Sequence, residues 1–329
     1  MEFSNVIGQD NIKDSLINSI YKDTVSHAYI FSGPVGIGKK TMARVFAGSL
    51  LCSSFSNGNK CNKCLPCRMI AEGSNPDYRE IKTDAASIGV DDIRSIQSDI
   101  IIKPMYSTRK VYLIIDADKM TSQAQNCLLK TLEEPPYYAV IVLTTSNYDS
   151  LIGTVRSRAV KYNFQKNTYQ QVRQLLDTIP GPQAEEKDFI ASYADGVIGT
   201  AIMLAQSEEF VRLRDEVSKV VFNIQNCKMK EILSMYDFFE NNKESISTIL
   251  DVMTLFYRDL LVVKKTTGEN VLINRDKKDI IFNNAVSFST GKLIKNIETI
   301  ESTRRNIRKN ANYRLSIEIM LMKLQEEFV

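Results

Sequence analysis

Three groups of residues in this sequence have types and spacing that could do chemistry. The first is Gly33-Pro34-Val35-Gly36-Ile37-Gly38-Lys39-Lys40-Thr41. Glycines at this spacing let successive backbone N–H groups turn inward as an anion cradle, and a following helix adds partial positive charge. Lys39 is placed to reach the outer phosphates of a nucleotide. A magnesium-binding loop carries Ser or Thr directly after that lysine. Lys40 stands there instead, and Thr41 comes one residue late, roughly 100° further round the helix. The loop therefore has the shape of a nucleotide site and lacks its metal-binding hydroxyl. Gly33, Gly36, Gly38, Lys39, Lys40 and Thr41 form a degenerate phosphate loop, from which ATP binding does not follow.

The second group is Cys52, Cys61, Cys64 and Cys67, spaced C-x8-C-x2-C-x2-C. Two overlapping C-x2-C hooks and a fourth thiol can close a tetrahedron around Zn²⁺. The intervening Ser53 to Lys63 is polar, with three Ser, three Asn and one Gly, so it can wrap an ion. No histidine or open position competes, which makes the expected zinc structural. The third group is Asp116, at the end of Val111 to Ile115, together with Arg156, Ser157 and Arg158. An acidic residue after a buried strand can hold Mg²⁺ opposite a phosphate loop. Ala117 follows it, where a hydrolytic site wants Glu. Asp118 would point elsewhere, because side chains alternate along an extended strand end. His27 is the sole histidine, so mechanisms that need two are excluded.

These groups need elements to position them. Ala28 to Phe31 and Val140 to Thr144 are apolar runs, like Val111 to Ile115, of the kind buried on both faces of a parallel sheet. Tyr78 to Lys82 reads as a shorter strand. Helical spacing runs through Ile12 to Ile20, Met42 to Leu51, Val90 to Ile100 and Ser122 to Glu134, the last stopped by Pro135-Pro136. Thr144 to Asn147 lie at a strand's carboxyl end, where open α/β sheets bind ligands. After Phe164 no further strand run occurs. Short helices are expected over Gln170 to Ile179, Phe189 to Ala194 and Thr200 to Leu204, then helix from about Phe210 to the end. Leu315, Ile319 and Met322 line one face of the last helix. The division that follows is an α/β phosphate-loop domain over 1–163, a small helical domain over 164–208 and an all-helical domain over 209–329.

Composition sets outer bounds. The chain has 329 residues, 25% of them charged, and a net charge of +3. That charge is too small to argue for nucleic acid by itself. No run is long and apolar enough for a transmembrane helix, and the N-terminus lacks the basic and apolar parts of a signal peptide. A cytoplasmic, reducing location is expected, and there cysteines are not read as disulfides. Arg304, Arg305, Arg308 and Lys309 read as a solvated helix face.

Several stretches match one family. Ile7-Gly8-Gln9, His27 to Gly33, the four-cysteine insert, Ala124-Gln125-Asn126, Leu128-Leu129-Lys130-Thr131-Leu132-Glu133-Glu134-Pro135-Pro136 and Arg156-Ser157-Arg158 resemble the bacterial clamp-loader AAA+ proteins of DNA polymerase III. The resemblance covers about residues 5–160 well, and beyond them only helical character. It implies an AAA+ domain, a lid and an oligomerising collar. The implied partners are ATPase and delta subunits in a hetero-pentamer, a sliding clamp, and primer–template DNA met through the complex, with no membrane. In that family one subunit supplies the phosphate loop and its neighbour an arginine finger from a Ser-Arg-Cys motif. Here Ser157-Arg158 carries the finger, with Ala159 in the cysteine position. Lys40, Ala117 and Thr200, the last where a lid arginine is expected, depart from the ATPase pattern. The departures imply the non-hydrolysing delta-prime type, a stator within the DNA-directed DNA polymerase complex. The alternative is the gamma/tau-type motor subunit. An unrelated zinc-containing DNA-binding module is disfavoured by the weak charge and the lack of aromatic–basic interleaving.

Overall fold

The computed structural model describes residues 2–83, 86–227, 229–266 and 272–326. The sequence-based limits at Met1 and Val329 lie outside them. Contacts group the chain into two compact units, Met1–Leu175 with Ala194–Ala201, and Leu176–Tyr193 with Ile202–Val329.

The first unit is built on a five-stranded parallel sheet ordered β2-β3-β4-β1-β5. The strands are β1 (Ala28–Ser32), β2 (Tyr78–Ile81), β3 (Lys110–Ile114), β4 (Ala139–Thr145) and β5 (Val160–Asn163). Every residue of β1, β3 and β4 is buried, as expected of central parallel strands covered on both faces. Successive side chains serve opposite layers. Tyr29, Phe31, Val111, Leu113, Val140 and Val142 pack with α1 (Asp10–Tyr21) and α2 (Lys39–Leu50). Ala28, Ile30, Tyr112, Ile114, Ile141 and Leu143 pack with α4 (Val90–Ile100) and α5 (Ser122–Glu133). A short α3 (Leu65–Ala71) follows the cysteine insert, and α6 (Gly153–Arg156) precedes β5. Among the described residues all strands lie between 28 and 163.

Because β4 lies between β1 and β3, the chain leaves β1 in a different direction from its sheet neighbours. That topological switch opens a crevice at the carboxyl end of β1, where Gly33 begins. The order, with its phosphate loop, is the α/β AAA+ architecture.

The helices beyond the sheet are α7 (Tyr169–Asp177), α8 (Ala184–Tyr193) and α9 (Ile198–Ala205), then α10 (Glu208–Asn223), α11 (Met229–Asn241), α12 (Ile246–Lys265), α13 (Lys278–Ala285), α14 (Thr290–Arg308) and α15 (Tyr313–Gln325). None of the described helices is long and apolar enough to cross a membrane. In the second unit α12 is the central helix, packed by α10, α13 and α14, with α15 against α14 and α11. On the last helix the apolar face read from the sequence is not the buried one. Ile317, Met320, Leu321 and Leu324 are its buried face, whereas Leu315 and Ile319 are 55% and 42% exposed. Apolar residues occur on both sides of α15, so periodicity alone does not choose the core face. Arg304 also departs from the solvated face expected of it. It pairs with Asp251 at 2.6 Å and Glu301 at 3.2 Å, while Arg305, Arg308 and Lys309 stay exposed.

One polar network holds this unit together. Asp259, fully buried on α12, accepts hydrogen bonds from the backbone N–H of Asn274 at 2.7 Å and from Asn274 Nδ2 at 2.8 Å. Arg214 of α10 donates to Asn274 Oδ1 at 2.9 Å and grips Asp276 at 2.6 and 2.8 Å. Replacing Asp259 by Ala strands these donors in the core. Asp259→Ala is expected to destabilise the protein by about 3–5 kcal/mol, read as a lowered denaturation midpoint. A loss under about 1 kcal/mol, the size of one ordinary surface contact, would show the network dispensable.

Candidate functional site

The phosphate loop lies where its sequence suggests, between β1 and α2, and its cation is turned inward. Lys39 is 7% exposed, and its Nζ donates to the carbonyls of Gly33 and Pro34, each at 2.7 Å. Burial lowers its pKa, opposed by the carboxylates of Asp116 and Asp118. Gly36 has φ +77, a left-handed conformation that favours glycine. Its carbonyl accepts a hydrogen bond from the Gly199 N–H at 2.8 Å. A Cβ on Gly199 would meet Gly36 Cα at 2.9 Å. The segment that carries Thr200 thus touches the loop backbone directly. Gly38, at φ +103, ends the loop and caps α2.

Lys40 leaves the loop altogether. Its Nζ points toward Glu80 of β2 at 3.8 Å. The same carboxylate is gripped by Arg44 at 2.8 and 2.6 Å and accepts from the Tyr78 hydroxyl at 3.0 Å. Thr41 is half-buried on α2. Asp116 follows β3 with φ 53, its N–H bonded to Thr144 Oγ1 at 3.1 Å and its side chain exposed. Asp118 faces the end of β4, accepting from the N–H and hydroxyl of Ser146, both at 3.1 Å. Burial pushes its carboxyl up, but hydrogen bonds from Ser146 and Thr145 outweigh that and hold it below the usual range. Ala117 is buried between the two acids.

Cys52, Cys61, Cys64 and Cys67 converge, with all four Sγ atoms within 4.8 Å of one another. Sulfurs about 2.3 Å from a tetrahedral ion sit about 3.8 Å apart, so small adjustments complete such a site. Backbone donors already point at the sulfurs: Cys52 Sγ accepts from the N–H of Cys61 at 3.2 Å and of Ser54 at 3.4 Å, and Cys61 Sγ from Cys64 at 3.3 Å. Hydrogen bonds from the Lys63 and Cys64 N–H groups bring the Cys61 thiol down to about 6, whereas burial pushes Cys67 up. A bound metal would supply the positive charge that favours all four as thiolates.

The arginines lie at the far end of the sheet domain's chain, on and after α6. Arg156 is held by Asp149 at 2.7 Å and lies over the Tyr148 ring at 5.2 Å. Arg158 is 35% exposed, paired with Glu133 at 2.8 Å, and donates to the Thr154 carbonyl at 3.1 Å and Ser157 Oγ at 3.4 Å. His27 sits just before β1, half-buried, its carbonyl accepting from Ile141. Sequence reasoning missed Glu80 and Glu133 as partners. Glu133 stood in view within the Leu128 to Pro136 string, but no periodicity links it to Arg158.

Family models and curated relatives point to one family. Residues 8–168 match the family model described as "DNA polymerase III, delta subunit", and residues 208–326 match "DNA polymerase III, delta subunit, C terminal". The Bacillus subtilis DNA polymerase III subunit delta' is 29% identical over 324 residues, covering 97% of this chain and 96% of that protein. The Bacillus subtilis subunit tau is 29% identical over 346 residues, covering 98% of this chain, and the Mycoplasma genitalium subunit gamma/tau is 29% identical over 300 residues, covering 84%. The chain spans 61% and 50% of the length of those two proteins. With two models of one polymerase subunit family matching successive segments, the chain belongs to the DNA polymerase III family of clamp-loader AAA+ subunits.

Proposed function

We propose that this chain is the delta-prime, stator-type subunit of a bacterial clamp loader. It turns over no ATP itself, and it lends Arg158 in trans to ATP held by a neighbouring motor subunit. The observation that carries this reading is the contrast between its two ends. The phosphate loop is tied up within the chain: Lys39 on Gly33 and Pro34, Gly36 on Gly199, Lys40 toward Glu80. Arg158 meanwhile keeps about a third of its side chain exposed on the surface. The reading includes a cytoplasmic hetero-pentamer with the ATPase and delta subunits, assembled through a collar over 209–329, and action on the sliding clamp and primer–template DNA as a complex. Exposed Ile101, Ile102, Met105 and Tyr137 offer apolar surface for a protein partner. The cysteine cluster is read as a structural zinc site.

The motor-subunit reading draws on the same 29% identity to a tau subunit. Lys40, Ala117 and Thr200 argue against it, since hydroxyl, carboxylate and lid guanidinium are absent from three separate positions. The test is ATP turnover. The isolated chain is expected to hydrolyse nothing above background, while turnover by the motor subunit rises when this chain completes the complex. Lys40→Thr alone should rescue nothing, because Ala117 still lacks a carboxylate to polarise water. Robust hydrolysis by the unmodified chain, persisting through repurification, would establish the motor reading instead.

A further inference from the structure

Glu133 is the last residue of α5, and Arg158 follows α6. The two elements are fastened to one another beneath the surface. Gln125 of α5, 3% exposed, accepts from the Ile152 N–H at 2.8 Å and donates to the Ser150 carbonyl at 3.2 Å. Leu128 and Val155 are both fully buried in the same core. The base on which Glu133 stands is therefore rigid with respect to α6.

From that base the carboxylate meets Arg158 Nη2 at 2.8 Å, while Nη1 donates to the Thr154 carbonyl and lies within reach of Ser157 Oγ. The planar guanidinium is thus held at two of its nitrogens by groups of its own chain. Nε takes part in none of these contacts. An arginine offers five N–H donors, so a held guanidinium still has donors for an outside anion.

As a contribution to stability this pair is small, because both side chains are exposed by a third or more. Its larger consequence is geometric. A long arginine loses much rotamer freedom when it enters a neighbour's site. One oriented beforehand has less to lose, and presents its donors without reorganisation when charge develops.

We propose that Glu133 is the positioning residue for the Arg158 finger, orienting the guanidinium in cis so that it enters the neighbouring subunit's phosphate site already aligned. This rests on the reading of Arg158 as a finger in trans, and deepens it. Glu133 touches no phosphate itself. Its effect passes entirely through Arg158.

The test is a double-mutant cycle in the reconstituted clamp loader, with Glu133→Ala, Glu133→Gln, Arg158→Ala and Glu133→Ala/Arg158→Ala. Glu133→Ala is expected to lower the kcat of clamp- and DNA-stimulated ATPase severalfold, less than the roughly 100-fold that a 1 Å misplacement can cost. KM for ATP should stay within twofold, since ATP binding belongs to the neighbour. Glu133→Gln should restore most of the rate, because its amide oxygen still accepts. In the Arg158→Ala background, Glu133→Ala should cost nothing further. Wild-type kcat or a raised kcat for Glu133→Ala, beside an impaired Arg158→Ala, would overturn the positioning role alone. So would losses that multiply in the double variant, or a Gln variant as poor as Ala. Full activity of Arg158→Ala would remove the finger and, with it, this role for Glu133.

Discussion

A clamp loader reconstituted with Arg158→Ala is expected to assemble normally and to lose most of its clamp- and DNA-stimulated ATPase at the site this chain faces. A finger supplied in trans is worth about 10³–10⁵ in rate in the best-studied phosphoryl-transfer systems. A guanidinium on the γ-phosphate makes charge-assisted hydrogen bonds where negative charge is spread in the transition state. A loader with several sites loses less as a whole, since the remaining interfaces keep their own fingers. Clamp loading should fall with it. Folding should not change, because the pair that Arg158 makes with Glu133 is partly solvated and worth about 0–1 kcal/mol. Arg156→Ala is the control for lost charge. Its guanidinium is already committed to Asp149 and the Tyr148 ring, so its removal should do less. Full ATPase and full loading with Arg158→Ala would reduce Arg158 to a surface partner of Glu133.

The elements that hold these residues were legible because their signals are local. Three strands buried on both faces appear as unbroken apolar runs at Ala28, Val111 and Val140, and the structure extends or trims them by a residue or so. The glycine loop and the cysteine spacing are local too: each declares a geometry that only nearby backbone has to satisfy. What the chain does with its charges was not legible. The turn of Lys40 toward Glu80 depends on β2 reaching the sheet edge beside α2, and on Arg44 and Tyr78 converging there. Nothing in the spacing of Lys40 announces this. Glu133 and Arg158 meet across a helix pair that β4 separates in sequence, so their contact is a product of topology. Which face of α15 is buried was not legible for a related reason. A helix apolar on both sides chooses its core face by what packs on it, and that choice is tertiary.

Removing the metal from the cysteine cluster should undo one loop and leave the sheet domain standing. Purified protein is expected to carry about one Zn²⁺ per chain, bound by Cys52, Cys61, Cys64 and Cys67, and Cys67→Ser should bring the content close to zero. The segment from Ser53 to Lys63 has one large apolar side chain, Phe55, whose ring lies 5.2 Å from that of Tyr21. Its other ties are few: Gly58 N–H to the Tyr21 hydroxyl at 2.8 Å, Asn62 Nδ2 to Glu2 Oε1 at 2.7 Å, and a bridge between Ser56 and Asn59. Burial of one ring does not offset the entropy of ordering so polar a loop. Structural zinc in small domains contributes about 10–16 kcal/mol of apparent binding free energy at neutral pH, ample to close it. A strong chelator should therefore raise hydrogen exchange and protease cleavage across residues 52–67. The cores on the two faces of the sheet, against one of which Phe55 of this segment packs at the edge, should keep their protection. Metal analysis showing no zinc, together with four thiols that react freely in the native protein, would remove the metal from this site and leave the loop's order to be explained by the Phe55 contact and its few hydrogen bonds.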